Sequence, residues 1–456
     1  TVESECLVED DVSNSIDRGE PIEGDKIIDD CRLRTHELAL ACTGEYFQYM
    51  VTNYGGSGND YATVLSRMAV TLDRVNGIFR EDLAIVFTLV NQMEADTVQL
   101  LFDDPATDPY DNSSTSQMLG VNTSVTDGVL GAGNYDLGHV FSTSFGGLAG
   151  PGICFDNASA RGVTGLTSPE TDVFDVDFVA HELGHQLGAN HTFNTSTGSC
   201  GGTNRNAATA PEPGSATSLK GYAGKCSPNN IQPNSDAYFH IISQQEINEE
   251  MQLVFGNYNP GGCAIFSSGN TAPTVDAGTD HMVPLNTPFF LTATGNDPDG
   301  GTLTFCWEQY FNAGTSITQV TGEPDGSETN APLFRSSAPV TDPIRYFPQL
   351  AGLGGRGCCF DNAATGVGET LPTVAQTLQF RVTARDGISN GGYGCPQSDQ
   401  MAVEFVDTGD QYGVTSPNGG EIYQTSNTQT VSWNEAGTDG APINCGTVDI
   451  LLSTDG

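Results

Sequence analysis

The sequence predicts an α/β domain, built from a twisted sheet and a helix that carries the candidate site, followed by all-β sandwich domains. Two observations point to this architecture. In the first half, a strand pattern, an amphipathic helix pattern and a continuous apolar run follow one another, as in a sheet covered by helices. From residue 269 onward, short alternating segments dominate, which is typical of β-sandwiches.

The composition separates four segments. Residues 1–31 form an acidic arm, residues 32–268 the α/β domain and residues 269–408 one sandwich. A Gly/Asn/Pro/Ser-rich linker places the main boundary near residue 268. Residues 409–456 begin a second sandwich but are too few to complete it, so we expect its last strands to lie further along the chain or to be supplied differently.

Three patterns define the elements of the α/β domain. Residues 37–50 (ELALACTGEYFQYM) alternate and predict the first strand. Residues 60–82 place apolar side chains at helical spacing, and residues 83–90 are an apolar run typical of a strand buried on both faces. Residues 235–251 predict the helix that closes the domain.

The charge of the chain excludes two classes of partner. Lys and Arg number 16 against 57 Asp and Glu, which gives a net charge of −41. Such a surface repels nucleic acid and anionic membranes, so we expect neither as a partner. No stretch is long and apolar enough to span a membrane.

Twelve cysteines without a CxxC pair indicate disulfides and an oxidising, extracellular compartment. The four cysteines of residues 270–408 can pair among themselves, whereas residues 1–269 hold seven and the last segment holds Cys445. Either Cys445 pairs with an earlier cysteine, or its partner lies beyond the sequence and one early cysteine is free. We predict a Cys200–Cys226 bond, since it would clamp the loop after the candidate site.

HELGHQLGANH, at residues 181–191, is the candidate site. It fills every fixed position of H-E-x-x-H-x-x-G-x-x-H. His181 and His185 are four residues apart, so a helix places both imidazoles on one face. Gly188 permits a sharp exit because it tolerates positive φ, and His191 can then fold back onto the metal. Three neutral imidazoles with one open position predict a catalytic Zn²⁺ site.

Glu182 lies beside the face that carries the histidines. Zn²⁺ lowers the pKa of a bound water and polarises a scissile carbonyl. Glu182 is then placed to take the proton of the water as general base and to deliver it to the leaving amine as general acid.

The motif and its flanks resemble the metzincin metallopeptidases, and in particular their secreted bacterial reprolysin-like (adamalysin-related) branch. The flanks that carry the resemblance are FDVDFVAHELGHQLGANHTFN (174–194), YDLGHVFSTSFGGLAG (135–150) and GYAGKCSPNNIQPNSDAYFH (221–240). The resemblance covers roughly residues 32–265. It implies a secreted zinc metalloendopeptidase that hydrolyses internal bonds of extended protein or peptide substrates, with Ca²⁺ as a structural ion.

The resemblance also implies roles for residues outside the motif. The edge strand that pairs with substrate corresponds to Gly146, Gly147, Leu148 and Ala149, whose main chain would bind extended peptides of any sequence. Tyr222 either donates a hydrogen bond to the tetrahedral intermediate or packs as an aromatic beneath the cleft.

Two features depart from the family pattern or have two interpretations. Lys220 stands where the family has a methionine beneath the zinc histidines, and a cation there is disfavoured by desolvation and repulsion. Three explanations are open: the side chain extends outward, the alignment is displaced by one, or the residue is misassigned. The acidic arm is either a loose segment closed by Cys6–Cys31 or the remnant of an inhibitory segment whose Cys6 binds the zinc. Thr1 is interpreted as a processed start.

The region after the boundary resembles the PKD/cadherin-like Ig superfamily through NDPDGGTLTFCWEQ, with Trp307 as its core anchor. Asp297 and Asp299 either bind Ca²⁺ or form a plain polar turn. His139 and His240, outside the motif, are interpreted as packing histidines.

The predicted function is zinc-dependent hydrolysis of peptide bonds. The alternative is a catalytically weak or inactive surface or adhesion scaffold, derived from a peptidase, that binds proteins or polysaccharide. Lys220 favours the alternative, and the intact base Glu182 opposes it. The sequence does not determine the oligomeric state, and we take a monomer as the expectation.

Overall fold

A computed structural model gives the fold of most of the chain. It describes residues 30–55, 60–94, 97–154, 159–255, 263–312, 315–349, 369–387, 392–418, 420–424, 427–448 and 450. The arm before residue 30, with Cys6, and the pair Cys358 and Cys359 lie outside the described residues.

The first region, residues 30–268, alternates helices and strands. Its helices are α1 (Gly44–Tyr54), α2 (Asp60–Leu83), α3 (Thr115–Leu130), α4 (Thr171–Phe174), α5 (His181–Gln186) and α6 (Ile241–Phe255). Asp175–Ala180, between α4 and α5, is a π-helix, so the chain is helical from α4 to the end of α5. Its strands are β1 (Arg32–Cys42), β2 (Ile85–Leu89), β3 (Met93–Glu94), β4 (Thr97–Val98), β5 (Leu137–Ser142), β6 (Gly146–Ala149), β7 (Gly162–Gly165) and β8 (Ile265–Ser268).

One sheet organises this region. Its order is β2-β1-β5-β7-β6, and β8 pairs with the start of β1. The first four strands are parallel, whereas β6 and β8 run antiparallel to their partners. Successive residues of β1 point to opposite faces, so Leu38 and Leu40 enter one core and Ala39 and Ala41 the other. Because apolar clusters cover both faces, the predicted α/β domain is observed.

The first predicted strand ends earlier than the sequence pattern suggests. β1 stops at Cys42, and the following GEYFQYM segment is the start of α1. The Thr43 side chain caps this helix by accepting a hydrogen bond from Tyr46 N–H at 3.2 Å. Tyr46, Phe47 and Met50 then lie on one buried helical face, so a short apolar run that alternates by chance was misassigned.

A second set of strands lies in residues 269–408, which we call the C-terminal β-sheet region. Its strands are β9 (Thr274–Asp276), β10 (His281–Pro284), β11 (Phe289–Thr292), β12 (Thr294–Asn296), β13 (Thr304–Tyr310), β14 (Ile344–Phe347), β15 (Gln376–Arg385) and β16 (Gln397–Val406). The order β10-β16-β15-β13 makes a four-stranded sheet, with β11–β14 and β9–β12 as separate pairs. Trp307 lies in a separate apolar core, as expected, whereas the assignment to the PKD/Ig type remains a prediction.

The last residues contribute one short pair, β17 (Gly413–Ser416) and β18 (Ser432–Asn434). Apolar side chains are exposed here, with Ile422 at 95% of its full exposure. In the described part of the chain, no helix has the length and apolar character that crossing a membrane requires.

The disulfides correct the predicted grouping of cysteines. The structure has Cys200–Cys226, Cys154–Cys263 and Cys31–Cys395 bonds. The last bond joins the residue just before β1 to the C-terminal β-sheet region across 364 residues, so the four later cysteines are not a closed set and Cys31 is not bonded to Cys6. Among the described residues, Cys42, Cys306 and Cys445 have no disulfide partner.

Asp297 and Asp299 form a polar turn. Asp297 Oδ1 accepts from Asp299 N–H at 2.9 Å and Asp297 Oδ2 from Gly301 N–H at 2.5 Å. Asp299 accepts from Thr271 N–H at 2.7 Å. These contacts fit the plain polar turn of the two interpretations, and the Ca²⁺ assignment remains a prediction.

Candidate metal centre

The helix that carries the motif places two histidines one turn apart. His181 and His185 stand at the two ends of α5's first turn, with ring centroids 4.9 Å apart. Both side chains are buried. The helix reaches this point through the π-helical turn, an uncommon element that often occurs at functional sites.

A glycine ends the helix and returns the chain toward it. Ala189 N–H donates to the Gly184 carbonyl at 3.0 Å and Gly188 N–H to the His185 carbonyl at 3.0 Å, which is the Schellman arrangement. Gly188 has a φ of 97°, as the sequence predicted. The reversal brings the His191 ring within 4.7 Å of the His185 ring.

The three imidazoles direct the same nitrogen toward one point. Each Nδ1 lies 2.7–2.8 Å from a backbone carbonyl oxygen: Leu219 for His181, Ala189 for His185 and Asn204 for His191. A carbonyl only accepts, so each Nδ1 carries the proton and each Nε2 keeps its lone pair.

The convergence of these nitrogens fits a metal ion. The ligand atoms of the three histidines lie within 4.8 Å of one another, and His185 Nε2 is 3.1 Å from His191 Nε2. His181 Nε2 is buried without a hydrogen-bond partner among the described residues. Burial, followed by the charge of Lys220, holds the pKa of each imidazole well below its ordinary value. Neutral imidazoles with converging lone pairs are the donor set of a catalytic zinc site.

Glu182 is fully buried next to the histidines. It faces Gly147 of β6, and a Cβ atom at that glycine would overlap the Glu182 carboxylate. Any side chain at position 147 would therefore displace the carboxylate. The sequence had singled out Gly147 for substrate pairing only, whereas the structure shows that it also makes room for Glu182.

Lys220 lies beneath the helix that carries the motif. Its side chain is completely buried, and Nζ donates to the His181 carbonyl oxygen at 2.8 Å. Of the three explanations, the outward side chain is therefore excluded. Thr192 N–H donates to the Lys220 carbonyl at 3.1 Å and so holds the backbone at Lys220 in place. The side chain of Lys220 then lies under Gly184.

Tyr222 packs against the third histidine. Its ring centroid is 4.5 Å from His191 and 4.6 Å from Phe193. These contacts fit the packing interpretation, and the role of its hydroxyl as a donor to an intermediate remains a prediction.

His139 is buried in β5 and bonded to other side chains. Its Nδ1 lies 2.7 Å from Gln186 Oε1, and its Nε2 lies 2.8 Å from Thr164 Oγ1. Burial lowers the pKa of His139 to about 4. It therefore links the sheet to the end of α5, in agreement with its interpretation as a packing histidine.

Sequence reasoning missed the partners of the imidazoles, which are the backbone carbonyls of Ala189, Asn204 and Leu219. It could not have found them, because every residue has a carbonyl and only the fold selects one. The Cys200–Cys226 bond, by contrast, lies in the loop where we expected it.

One comparison with known proteins gives a match. Residues 65–192 match the family model described as Metallo-peptidase family M12B Reprolysin-like, from α2 to the residue after the third histidine. Neither the curated proteins nor the solved structures give a significant match. The family match and the cluster of three histidines together support a reprolysin-like zinc metallopeptidase, with peptides or proteins as its substrates.

Proposed function

We propose that the chain is a secreted zinc metalloendopeptidase that hydrolyses internal peptide bonds of extended protein substrates. The convergence of three Nε2 atoms beside the buried carboxylate of Glu182 carries this proposal. The donor set is that of a zinc site with an open position, and the carboxylate is the group that hydrolysis needs in addition.

Each residue has a separate role. His181, His185 and His191 would hold Zn²⁺, which when bound supplies a Lewis acid for the scissile carbonyl and activates water. Glu182 would accept the proton of the attacking water and deliver it to the leaving amine. Tyr222 would donate to the oxyanion.

The edge of the sheet supports an extended substrate. Among the described residues, β6 pairs on one side only, with β7. Gly146, Gly147, Leu148 and Ala149 therefore have main-chain groups on the other side that can pair with a peptide of any sequence.

Secretion from the cell and a structural Ca²⁺ are parts of the same proposal. The three disulfides are compatible with an oxidising environment outside the cell. The adhesion-scaffold alternative has no support from the family match, and the experiment below separates it from the peptidase.

The test is hydrolysis of unfolded casein by the purified chain, with and without a zinc chelator. Glu182→Gln keeps the size of the side chain but removes the base, so we expect it to bind one zinc and to cleave at least ~100-fold more slowly. Glu323→Gln changes an exposed glutamate of the C-terminal β-sheet region and serves as the control. Bound zinc without chelator-sensitive cleavage by the wild type would favour the scaffold alternative.

A further inference from the structure

The loop after the third histidine returns beside it. We call residues 194–212 the return loop. Thr209 Oγ1 donates to the His191 carbonyl at 2.8 Å, and Glu212 N–H donates to the Thr192 carbonyl at 3.1 Å. Earlier in the loop, the Asn204 carbonyl accepts from His191 Nδ1 at 2.7 Å. The orientation of the third imidazole therefore depends on where the return loop places Asn204.

Arg205, next to Asn204, joins the return loop to the C-terminal β-sheet region. Its Nε donates to the Asn194 carbonyl at 2.8 Å, and its Nη2 donates to the Ile317 carbonyl at 2.6 Å. The planar guanidinium fixes the separation of the two carbonyls that it bridges.

Residues 317–320 lie along the return loop like an added strand. Ile317 N–H donates to the Ala207 carbonyl at 2.8 Å. The Asn194 side chain accepts from Val320 N–H at 2.6 Å and donates to the Thr318 carbonyl at 3.1 Å. Asn194 is completely buried, so these bonds are shielded from water.

The segment 317–320 is itself anchored in the C-terminal β-sheet region. Thr318 N–H donates to the Asn330 carbonyl at 2.7 Å, and Leu333 N–H donates to Gln309 Oε1, on β13, at 2.7 Å. A continuous series of contacts thus runs from the four-stranded sheet to the third histidine.

The two regions are also joined away from the return loop. Arg385 Nε lies 2.6 Å from Asp82 Oδ1, with both side chains nearly inaccessible to solvent. The Cys31–Cys395 bond adds a covalent connection. The position of residues 317–320 relative to the metal centre is therefore held at several separate points.

We propose that the C-terminal β-sheet region positions the third metal ligand, with Arg205 as the positioning residue that transmits the constraint. The region is then a part of the catalytic unit and not only a spacer. The inference rests on the proposed function, because it takes His191 as a zinc ligand.

The test compares variants that cut this connection with one that loosens the interface elsewhere. Arg205→Met removes both donors and keeps an unbranched stem, and Arg205→Lys keeps a single cationic donor. Tyr310→Phe is the control, because it removes the 3.0 Å hydrogen bond from Tyr310 to Gln245 between the same two regions without touching the return loop.

Two measurements report on the metal centre itself. One is the zinc dissociation constant, by competition with a chromophoric chelator. The other is the visible spectrum of the cobalt-substituted protein, which responds to ligand geometry. We expect Arg205→Met to weaken zinc binding by about 10–100-fold and to shift the cobalt bands. The zinc affinity of Arg205→Lys should lie between those of Arg205→Met and the wild type. Tyr310→Phe should have the zinc affinity and the cobalt spectrum of the wild type.

Each outcome decides something. Wild-type affinity and spectrum in Arg205→Met overturn the inference, and so do equal losses in Arg205→Met and Tyr310→Phe. If Arg205→Met does not fold by circular dichroism, the cobalt spectrum of Arg205→Lys decides. A wild type that binds neither metal overturns the proposed function together with the inference. A wild type that binds zinc but does not cleave overturns the peptidase alone.

Discussion

His181 and His185 are placed at the metal centre by local helical structure, whereas His191 is placed there by tertiary contacts. His181 and His185 need only a continuous helix and a spacing of four residues. His191 needs a φ of 97° at Gly188, a carbonyl from Asn204 and a loop held by residues more than a hundred positions away. One site thus combines a local helical pattern with a tertiary arrangement. Substitutions in the two parts should therefore affect zinc binding and stability differently.

Removal of a ligand from either part is expected to have the largest effect. His185→Ala and His191→Ala should each weaken zinc binding on the order of 1,000-fold, because even the outer partners of zinc ligands contribute 10–100-fold. Equilibrium dialysis with elemental analysis measures both. An unchanged affinity in His191→Ala would show that the loop histidine does not bind the metal.

The stability of the helical part should depend on pH through His139, which forms a hydrogen bond with Gln186 at the end of α5. Burial lowers the pKa of His139 from 6.5 to about 4, so the folded chain resists protonation that the unfolded chain accepts. The neutral His139 therefore contributes about 3 kcal/mol to the free energy of unfolding. This contribution is complete above pH 6.5 and is lost as the pH falls toward 4.

Urea unfolding of the metal-free protein at several pH values measures this effect. The slope of stability against pH should be smaller in His139→Gln than in the wild type, since glutamine does not titrate. Parallel curves for the two proteins would refute the assignment.

Gly188, where the chain leaves α5, is a position at which one added methyl group should strain the backbone. Gly188→Ala places a Cβ 3.0 Å from the side chain of Glu250 at a positive φ, so we expect a loss of about 2 kcal/mol in stability and weaker zinc binding. Gly133, after α3 and away from the metal centre, also has a positive φ, of 82°, and a Cβ there in Gly133→Ala would meet no atom within 4 Å. This second variant should lose stability without affecting the affinity for zinc, and equal zinc affinities in the two variants would contradict the role of the exit.

The smallest expected effect concerns the charge beneath the helix. Lys220→Met removes a buried cation that lowers the pKa of all three histidines, so zinc should bind roughly 10-fold more tightly. Lys225→Met, at a partly exposed lysine, is the matched control. Weaker binding in Lys220→Met would instead mean that the hydrogen bond to the His181 carbonyl matters more than the repulsion.

Much of the first region was predictable, and the misses have physical causes. The stripe of α2 and the apolar run of β2 appear close to the predicted bounds, because periodicity reports burial directly. Residues 44–50 were misassigned because a capped helix and a short strand share an apolar composition. An outward side chain was one of three explanations for Lys220, and it is excluded because the helix offers a buried carbonyl as the acceptor of its ammonium group.

The sequence by itself determined the donor set. The spacing of His181, Glu182 and His185 is a local property of a helix, and the glycine exit is a local property of its end. Only the tertiary structure decided which carbonyls orient the imidazoles, where Lys220 lies and that Cys31 pairs with Cys395. Main-chain groups are the same in every residue, and contacts between distant segments depend on how the whole chain packs, so neither leaves a pattern in the sequence.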